Sequence, residues 1–405
     1  MNQICRFCKS EELTQVVDLG KQPLANNFCL SQEEAVTAER FDLVVVRCGH
    51  CQLCQLTEVV DWKKIYTNYF YYSSSSKPLI EHYEILAARL MQYYRAGSSI
   101  LDIGCNDGVM LDRFSDKIGQ RSCVGIDPSS AAFLAEEKGY EVVRAIASPE
   151  VASQLVREHE FSIITATNVF AHIDNIDDLI NALSILMGEE TVLLIEAPYL
   201  FDMLSKNYFD TIYHEHYSYL SLTPVLRLFE SHGFKIIDVK KSSVGASGPC
   251  MQYYITKADN TIVPTESVRR TMGEELLLKN SGLFEVYQNK IESWRAEIRE
   301  ILDKEISAGG RIGCISAPAK GNTLLNFIGS ENISLVSEVN EKKIGSYTPG
   351  TGIPVVSEDQ FSRSNVSLAI VLSWNYKEFF LDLKNHGKFG ASKLMFPLPN
   401  IEIYE

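Results

Sequence analysis

Nowhere in its 405 residues does the chain hold the run of about 18 apolar residues that a membrane-spanning helix needs. Its opening residues, Met1-Asn2-Gln3-Ile4-Cys5, lack the charged and apolar blocks of a secretory leader. A cytoplasmic protein with no membrane partner is the expectation. Excess positive charge is missing as well: 38 lysines and arginines face 52 acidic residues, a formal charge of −14 with the acids scattered rather than run together. Such a chain has no broad field to neutralise a phosphate backbone, so nucleic acid is not an expected partner, although a local basic site for a small anion is still allowed. Disulfide density is absent too, since ten cysteines in this length make no covalent framework and crowd toward the start. What remains is an ordinary globular composition, 45% apolar and 22% charged. The length exceeds the roughly 250–300 residues that one core sustains, which predicts two or three domains.

The clustered cysteines form two CxxC pairs, Cys5-Arg6-Phe7-Cys8 and Cys48-Gly49-His50-Cys51, separated by a segment able to fold back on itself. In a CxxC turn both thiolates point at one centre, and two such turns supply the four sulfurs of a closed tetrahedral zinc site. Zinc then contributes folding free energy to a module too short for a large core of its own. A redox role is the competing reading, but neither pair follows a strand and opens a helix. Four sulfurs leave no open position, so the zinc is expected to be structural. Cys54, three residues after Cys51, is a spare ligand for the second pair.

Further on, Ser99-Ile100-Leu101-Asp102-Ile103 runs as an apolar strand into the turn Gly104-Cys105-Asn106-Asp107-Gly108, with a helix start at Val109. Glycines at both ends of the turn let a ligand approach the backbone. The spacing is not that of the GxGxxG pyrophosphate fingerprint, which weighs against a plain dinucleotide-binding sheet. A second strand ends at Asp127-Pro128, where a carboxylate can hold both ribose hydroxyls. Two more apolar strands end in polar groups, Phe161 to Asn168 and Val192 to Glu196, and the helical stretches between them complete an α/β sheet. His172 sits just beyond a strand's carboxyl end, at the ligand crevice; taken alone, a histidine is more often a hydrogen-bonded structural residue.

The run Tyr213-His214-Glu215-His216-Tyr217 crowds two imidazoles around a carboxylate, groups that move protons near neutral pH. Its bland reading is a strand edge or a capped loop with solvated charges. Residues 266–308 are rich in Glu, Lys, Arg and Leu and read as long amphipathic helices joining modules, their charge a solvated face. Next, Arg311 to Ser316 is a strand leading into Ala317-Pro318-Ala319-Lys320-Gly321-Asn322-Thr323, a small-residue turn that opens a helix and offers N–H groups to phosphate. An ordinary helix start is the alternative. Strands around Leu335–Val339 and Leu368–Ser373 complete a second, smaller Rossmann-like sheet, with Glu338 at a strand end able to take a ribose hydroxyl. Trp374 and Tyr376 are either core aromatics or border that site.

The strand pattern of the middle part resembles the class I methyltransferases that use S-adenosylmethionine (SAM). That resemblance implies Gly104 and Gly108 against the methionine moiety, Asp127 on the ribose, and the backbone near Ala147 with Asn168 around adenine and methionine. Asp102, Asn106, Asp107 and Pro128 complete the implied cofactor set. Across nearly the whole chain, separate stretches resemble a narrower family, the sugar C-methyltransferases that act on nucleotide-linked keto-deoxysugars. These are the cysteine pairs, Asn68 to Tyr72 with the serines 73–76, the Gly104–Gly108 turn, Phe209 to His216, Ala317 to Leu325, Tyr347 to Pro354, and Ser373 to Tyr376. One stretch departs: where the family has His-Gly-Gly-Ser-Leu-Arg, this chain reads Ser247-Gly248-Pro249-Cys250-Met251-Gln252, followed by Tyr253 and Tyr254. Losing that histidine and arginine removes an anion contact and leaves the exact sugar open.

The family resemblance implies methylation at C-3 of a 4-keto hexose carried on a nucleoside diphosphate, dTDP- or GDP-linked. The C-3 hydrogen lies beside a carbonyl, so its removal gives an enolate able to attack an electrophilic methyl. His216 is the expected base, Glu215 an orienting or polarising group, and Tyr213, His172 and Tyr71 donors to the keto oxygen or hydroxyls. His214, Ala319, Lys320, Gly321, Asn322, Glu338, Trp374 and Asn375 form the expected substrate-binding set. The layout is then a zinc module at 1–60, a methyltransferase domain at 61–265, and helices with a nucleotide-sugar module at 266–405. Two rivals stay open. An O- or N-methyltransferase on another small molecule needs less from the 213–217 run. A zinc- and SAM-binding adaptor without chemistry leaves unexplained why Gly104, Asp127 and His216 are all in place.

Overall fold

Apolar strands punctuated by turn residues gather into three sheets among the residues that the computed structural model describes: 4–61, 64–65, 72–245, 248–280, 282–329 and 331–405. The first begins with β1 (Leu13–Pro23), β2 (Arg40–Cys48) and β3 (Cys54–Leu56), paired antiparallel in that order. Val17, Leu19, Leu43 and Val45 are among its buried residues. Its fourth strand is not local. The two-residue strand Ser218–Tyr219, directly after the Tyr213–Tyr217 run, pairs with β3. The zinc module is therefore completed by chain from beyond its expected boundary at residue 60.

The second sheet holds β4 (Ser99–Ile103), β5 (Cys123–Ile126), β6 (Glu141–Val143), β7 (Phe161–Thr167) and β8 (Val192–Pro198), all parallel. Every residue of β7 and β8 is buried, which is why they read as continuous apolar runs rather than alternating ones. After the short strand Ser218–Tyr219, here β9, come β10 (Phe234–Ser242) and β11 (Cys250–Lys257), an antiparallel pair of which β11 runs against β8. The resulting order is β10-β11-β8-β7-β4-β5-β6. Winding reverses between β4 and β7, so the crevice beyond their carboxyl ends is where a ligand belongs.

The expected linker helices are helix Glu266–Glu274, a tight turn at Glu275–Lys279, and a 26-residue helix, Gly282–Ser307. The long helix buries Phe284, Tyr287, Ile291, Trp294, Ile298 and Leu302, a stripe at three- and four-residue spacing, and leaves its charges outside. The stripe packs on the third sheet, ordered β14-β13-β12-β15-β16-β17. Its strands are β12 (Ile312–Ile315), β13 (Ile333–Glu338), β14 (Val355–Ser357), β15 (Leu368–Val371) and β16 (Lys393–Phe396), all parallel, with β17 (Glu402–Tyr404) antiparallel at the edge. One apolar cluster runs from Val17 and Leu43 in the zinc module, through Phe209 and Ile212, to Trp294 and this sheet. The three modules share a core. Ile298→Ala, in the fully buried middle of the stripe, is expected to cost about 2–5 kcal/mol. A lowered urea midpoint of unfolding checks this.

Candidate functional site

Cys5 Sγ lies 3.4 Å from Cys51 Sγ and Cys8 Sγ lies 3.6 Å from Cys48 Sγ, with all four sulfurs within 4.8 Å of one another. Zinc–sulfur bonds of about 2.3 Å in a tetrahedron put sulfurs roughly 3.8 Å apart, so the cage fits zinc once its thiols ionise. Cys54 stays outside the cage: it faces the core from β3, and burial pushes its thiol up to about 12. Inside the first knuckle, Arg6 turns inward and donates from Nη1 to the carbonyls of Leu56 (3.0 Å) and Tyr217 (3.2 Å). Its Nε donates to Asp174 at 3.2 Å. The zinc fold thus holds the far end of the 213–217 run.

Beyond the carboxyl ends of β4 and β7 lies a cavity of about 440 Å³ lined by Asp102, Gly104, Asn106, Asp127, Pro128, Ala147, Asn168 and His172. Gly104 (φ +75°) and Gly108 (φ +82°) hold left-handed backbone, and a Cβ on Gly104 would stand 2.0 Å from Val169 Cγ2. Asp127 accepts from the amides of Asn106 (2.8 Å) and Ser129 (2.7 Å), which fixes its carboxylate at the cavity wall. Ser73 N and Ser74 N donate to Asn106 Oδ1 and Asp107 Oδ2, folding the serine segment over the glycine turn. Burial raises Asp102 to about 7, opposed by the Thr165 hydroxyl at 2.6 Å. Asn168 Nδ2 and Asp107 Oδ1 are buried without a hydrogen-bond partner. A donor on Asn168, a fixed carboxylate and an apolar slot in one cavity fit a nucleoside carrying an amino acid. Asp127 would hold its ribose.

At the rim, the rings of His172 and His216 meet edge to face at 4.7 Å, and the Tyr213 ring lies 4.1 Å from His216. His216 Nδ1 is 2.7 Å from the Thr211 carbonyl, which only accepts, so Nδ1 carries the proton and Nε2 offers its lone pair. Burial pushes His216 down to about 4, and burial with the neighbouring His216 pushes His172 well below its ordinary value. Both imidazoles are neutral at neutral pH. Burial moves Glu215 the other way, up to about 7, opposed by a 2.7 Å hydrogen bond from Asn26 Nδ2 and by the Lys343 charge. His214 turns from this group to the Phe41 ring, 5.7 Å away in the zinc module. Tyr71 lies outside the described residues.

In the C-terminal module, the Lys320 amine is buried 4.2 Å over the Trp374 ring and donates to Asn375 Oδ1. Trp374 Nε1 donates to Asp210 Oδ2 at 2.6 Å. Burial lowers Lys320 to about 8, against the pull of Asp210, and raises Asp210 to about 6, against that of Lys320. Trp374 is therefore both a core aromatic and a wall between modules. Ala319 opens helix Ala319–Ile328, and Gly321 lies where a Cβ would press to 2.8 Å of Leu372. Asn322 Nδ2 reaches the Ala25 carbonyl at 2.7 Å. Glu338 ties the turn together by accepting from the amides of Ala317, Val339 and Asn340. Arg6, Asn26, Asp210 and Lys343 are the residues that local pattern did not point to. Asp210, inside the Phe209–His216 stretch, and Arg6, inside the first cysteine pair, carried a signal in their neighbourhood.

The sheet order, the glycine turn and the carboxylate at Asp127 define a SAM-dependent methyltransferase of the class I fold. Three family models match in succession: a zinc binding domain over residues 5–66, a methyltransferase domain over 80–239, and a C-methyltransferase C-terminal domain over 246–399. The C-methyltransferase NovU of Streptomyces niveus is 29% identical over 406 residues, covering 98% of this chain and 95% of that one. Among solved structures, a SAM-dependent methyltransferase from Anabaena variabilis is 16% identical over 48% of this chain and 91% of that one, at a TM-score of 0.39. One from Archaeoglobus fulgidus is 20% identical over 43% and 94%, at a TM-score of 0.33. These matches make the chain a SAM-dependent methyltransferase with a zinc-binding N-terminal module, similar over nearly its whole length to a C-methyltransferase. No helix among the described residues is long and apolar enough to cross a membrane.

Elemental analysis is expected to find about one zinc per chain, lost in Cys48→Ser together with folding of the N-terminal module. Gly104→Ala sets strained backbone and a steric clash at the cavity, so calorimetry should show SAM binding weakened on the order of 100-fold with zinc retained.

Proposed function

We propose that the protein methylates C-3 of a 4-keto-deoxyhexose carried on a nucleoside diphosphate. The observation that carries this reading is His216, neutral, with its tautomer set by Thr211, packed against His172 at the wall of the SAM cavity. Methyl transfer to an existing lone pair often needs no base, whereas a carbon acceptor beside a ketone must first lose a proton. The name of the Streptomyces niveus relative points the same way.

His216 Nε2 takes the C-3 proton, and the electron pair left behind spreads onto the keto oxygen. Burial disfavours an imidazolium standing alone, but an enolate forming beside it makes the pair neutral and offsets that penalty. Tyr213, His172 and Tyr71 are assigned to the keto oxygen and hydroxyls. Bound SAM supplies the electrophilic methyl. The nucleotide is assigned to the crevice between β12 and β15, at the Ala317–Asn322 turn with Asn375 and Trp374.

A dTDP- or GDP-linked 4-keto-deoxyhexose deuterated at C-3 is expected to lose its deuterium and gain a C–CH₃ group, read by NMR and mass spectrometry. His216→Ala should lower turnover by about 10²–10⁴-fold with SAM affinity unchanged. A methyl ether that keeps the C-3 deuterium would overturn the assignment.

A further inference from the structure

We infer that Asn26, a residue of the zinc-bearing module, is a positioning residue of the acid/base pocket that holds the Glu215 carboxylate in place. The inference deepens the reading of the 213–217 run as the site of proton transfer.

Asn26 lies in the connection between β1 and helix Gln32–Val36, and its Nδ2 donates to Glu215 Oε1 at 2.7 Å. That connection is clamped from the C-terminal module at three points. The Ala25 carbonyl accepts from Asn322 Nδ2 at 2.7 Å. The Phe28 ring lies 4.8 Å beneath the Lys343 amine, which itself donates to the Ala317 carbonyl at 2.8 Å. Cys29 and Tyr347 exchange backbone hydrogen bonds of 3.1 and 2.8 Å. Asn26 therefore cannot drift without moving a module that carries part of the proposed substrate site. Glu215 is 4% exposed, so a carboxylate there depends on donors supplied by its surroundings.

The groups that bear on the Glu215 charge come from each element around it. Lys343 of the C-terminal module favours the ionised form, as does the Asn26 amide. Glu215 in turn disfavours ionisation of Tyr217 on its own segment, and His216 beside it is neutral. The amide differs from the rest in that it donates at every pH and never changes charge.

Asn26→Ala removes a hydrogen bond that favours the ionised carboxylate, so the Glu215 midpoint, about 7 in the parent protein, is expected to rise by roughly one pH unit. Asn26→Asp keeps the shape but sets a second acid against the first, and raises the midpoint at least as far. A turnover that needs ionised Glu215 is lost as pH falls through that midpoint. The acid limb of kcat then moves up in step, and kcat at pH 7 falls roughly fivefold.

The experiment follows glutamate side-chain carboxyl carbons by ¹³C NMR across pH in the full-length zinc-loaded protein, with the Glu215 signal identified by its absence in Glu215→Gln. Zinc content and SAM affinity establish that each variant is folded, and the near-isosteric Asn26→Asp carries the comparison if Asn26→Ala loses its zinc. An upward shift in the folded variants supports the inference, and does so even where no keto sugar is methylated, in which case the substrate assignment fails alone. An unchanged Glu215 midpoint in folded Asn26→Asp overturns it.

Discussion

The pairing of Ser218–Tyr219 with β3 is the constraint from which the pocket follows. A two-residue strand does not persist unaided. It is held because Arg6, pinned in a zinc knuckle, takes the Tyr217 carbonyl from the other side, while Leu56 N donates to the same carbonyl at 3.0 Å. With Tyr217 fixed, the preceding residues have few ways to run. His216 N closes a turn onto the Tyr213 carbonyl, which sends His216 and Tyr213 to one side, toward His172, and His214 to the other, toward Phe41. A zinc site with no open coordination position therefore matters to chemistry it never touches.

Burial then sets protonation. The paired imidazoles of His172 and His216 and the carboxyl of Glu215 would each charge in water near its own ordinary value, and burial pushes the imidazoles down and the carboxyl up. The net effect at pH 7 is two neutral imidazoles, with a lone pair on His216, and Glu215 near its midpoint. The same rule acts on the Lys320 and Asp210 pair across Trp374, where an ammonium and a carboxyl approach each other's range. Asp210 belongs to the turn Phe209–Thr211, whose last carbonyl sets the His216 tautomer. The C-terminal module thus grips His216 from behind, as the zinc module grips the run from its far end.

Features encoded within a few neighbouring residues were legible in the sequence. Gly104 and Gly108 announce a left-handed turn, Asp127 ends its strand, the stripe from Phe284 to Leu302 spells a buried helix face, and two CxxC pairs specify a sulfur cage. What escaped the sequence depends on contacts across the chain. Asn26 meets Glu215 from 189 residues away, and no spacing encodes that. Lys320 has the residue type and place of a phosphate ligand at a helix start, yet its amine is buried on Trp374, because an aromatic wall and Asp210 stand closer than solvent. His214 and His216 look equivalent two residues apart, and only the turn at Tyr213 separates them.

The departure from the family pattern at 247–252 also reads differently in three dimensions. Gln252, where the pattern has arginine, is 2% exposed inside the sheet and donates from Nε2 to Glu196 Oε2 at 2.8 Å. His82 Nε2 lies 2.8 Å from the same oxygen, and Arg89 holds Gln252 Oε1 at 2.9 Å from helix Lys77–Leu90. Charge lost at one position is thus supplied through an amide from a neighbouring helix. The Glu196 carbonyl accepts from Asn168 N at 2.7 Å and supports that residue's left-handed backbone at the cavity wall. Position 252 therefore acts on the carboxyl end of β8 and, through it, on the SAM side of the pocket. The nearest connection of position 252 is thus through Glu196 to Asn168 at the cavity wall, by way of hydrogen bonds within the sheet.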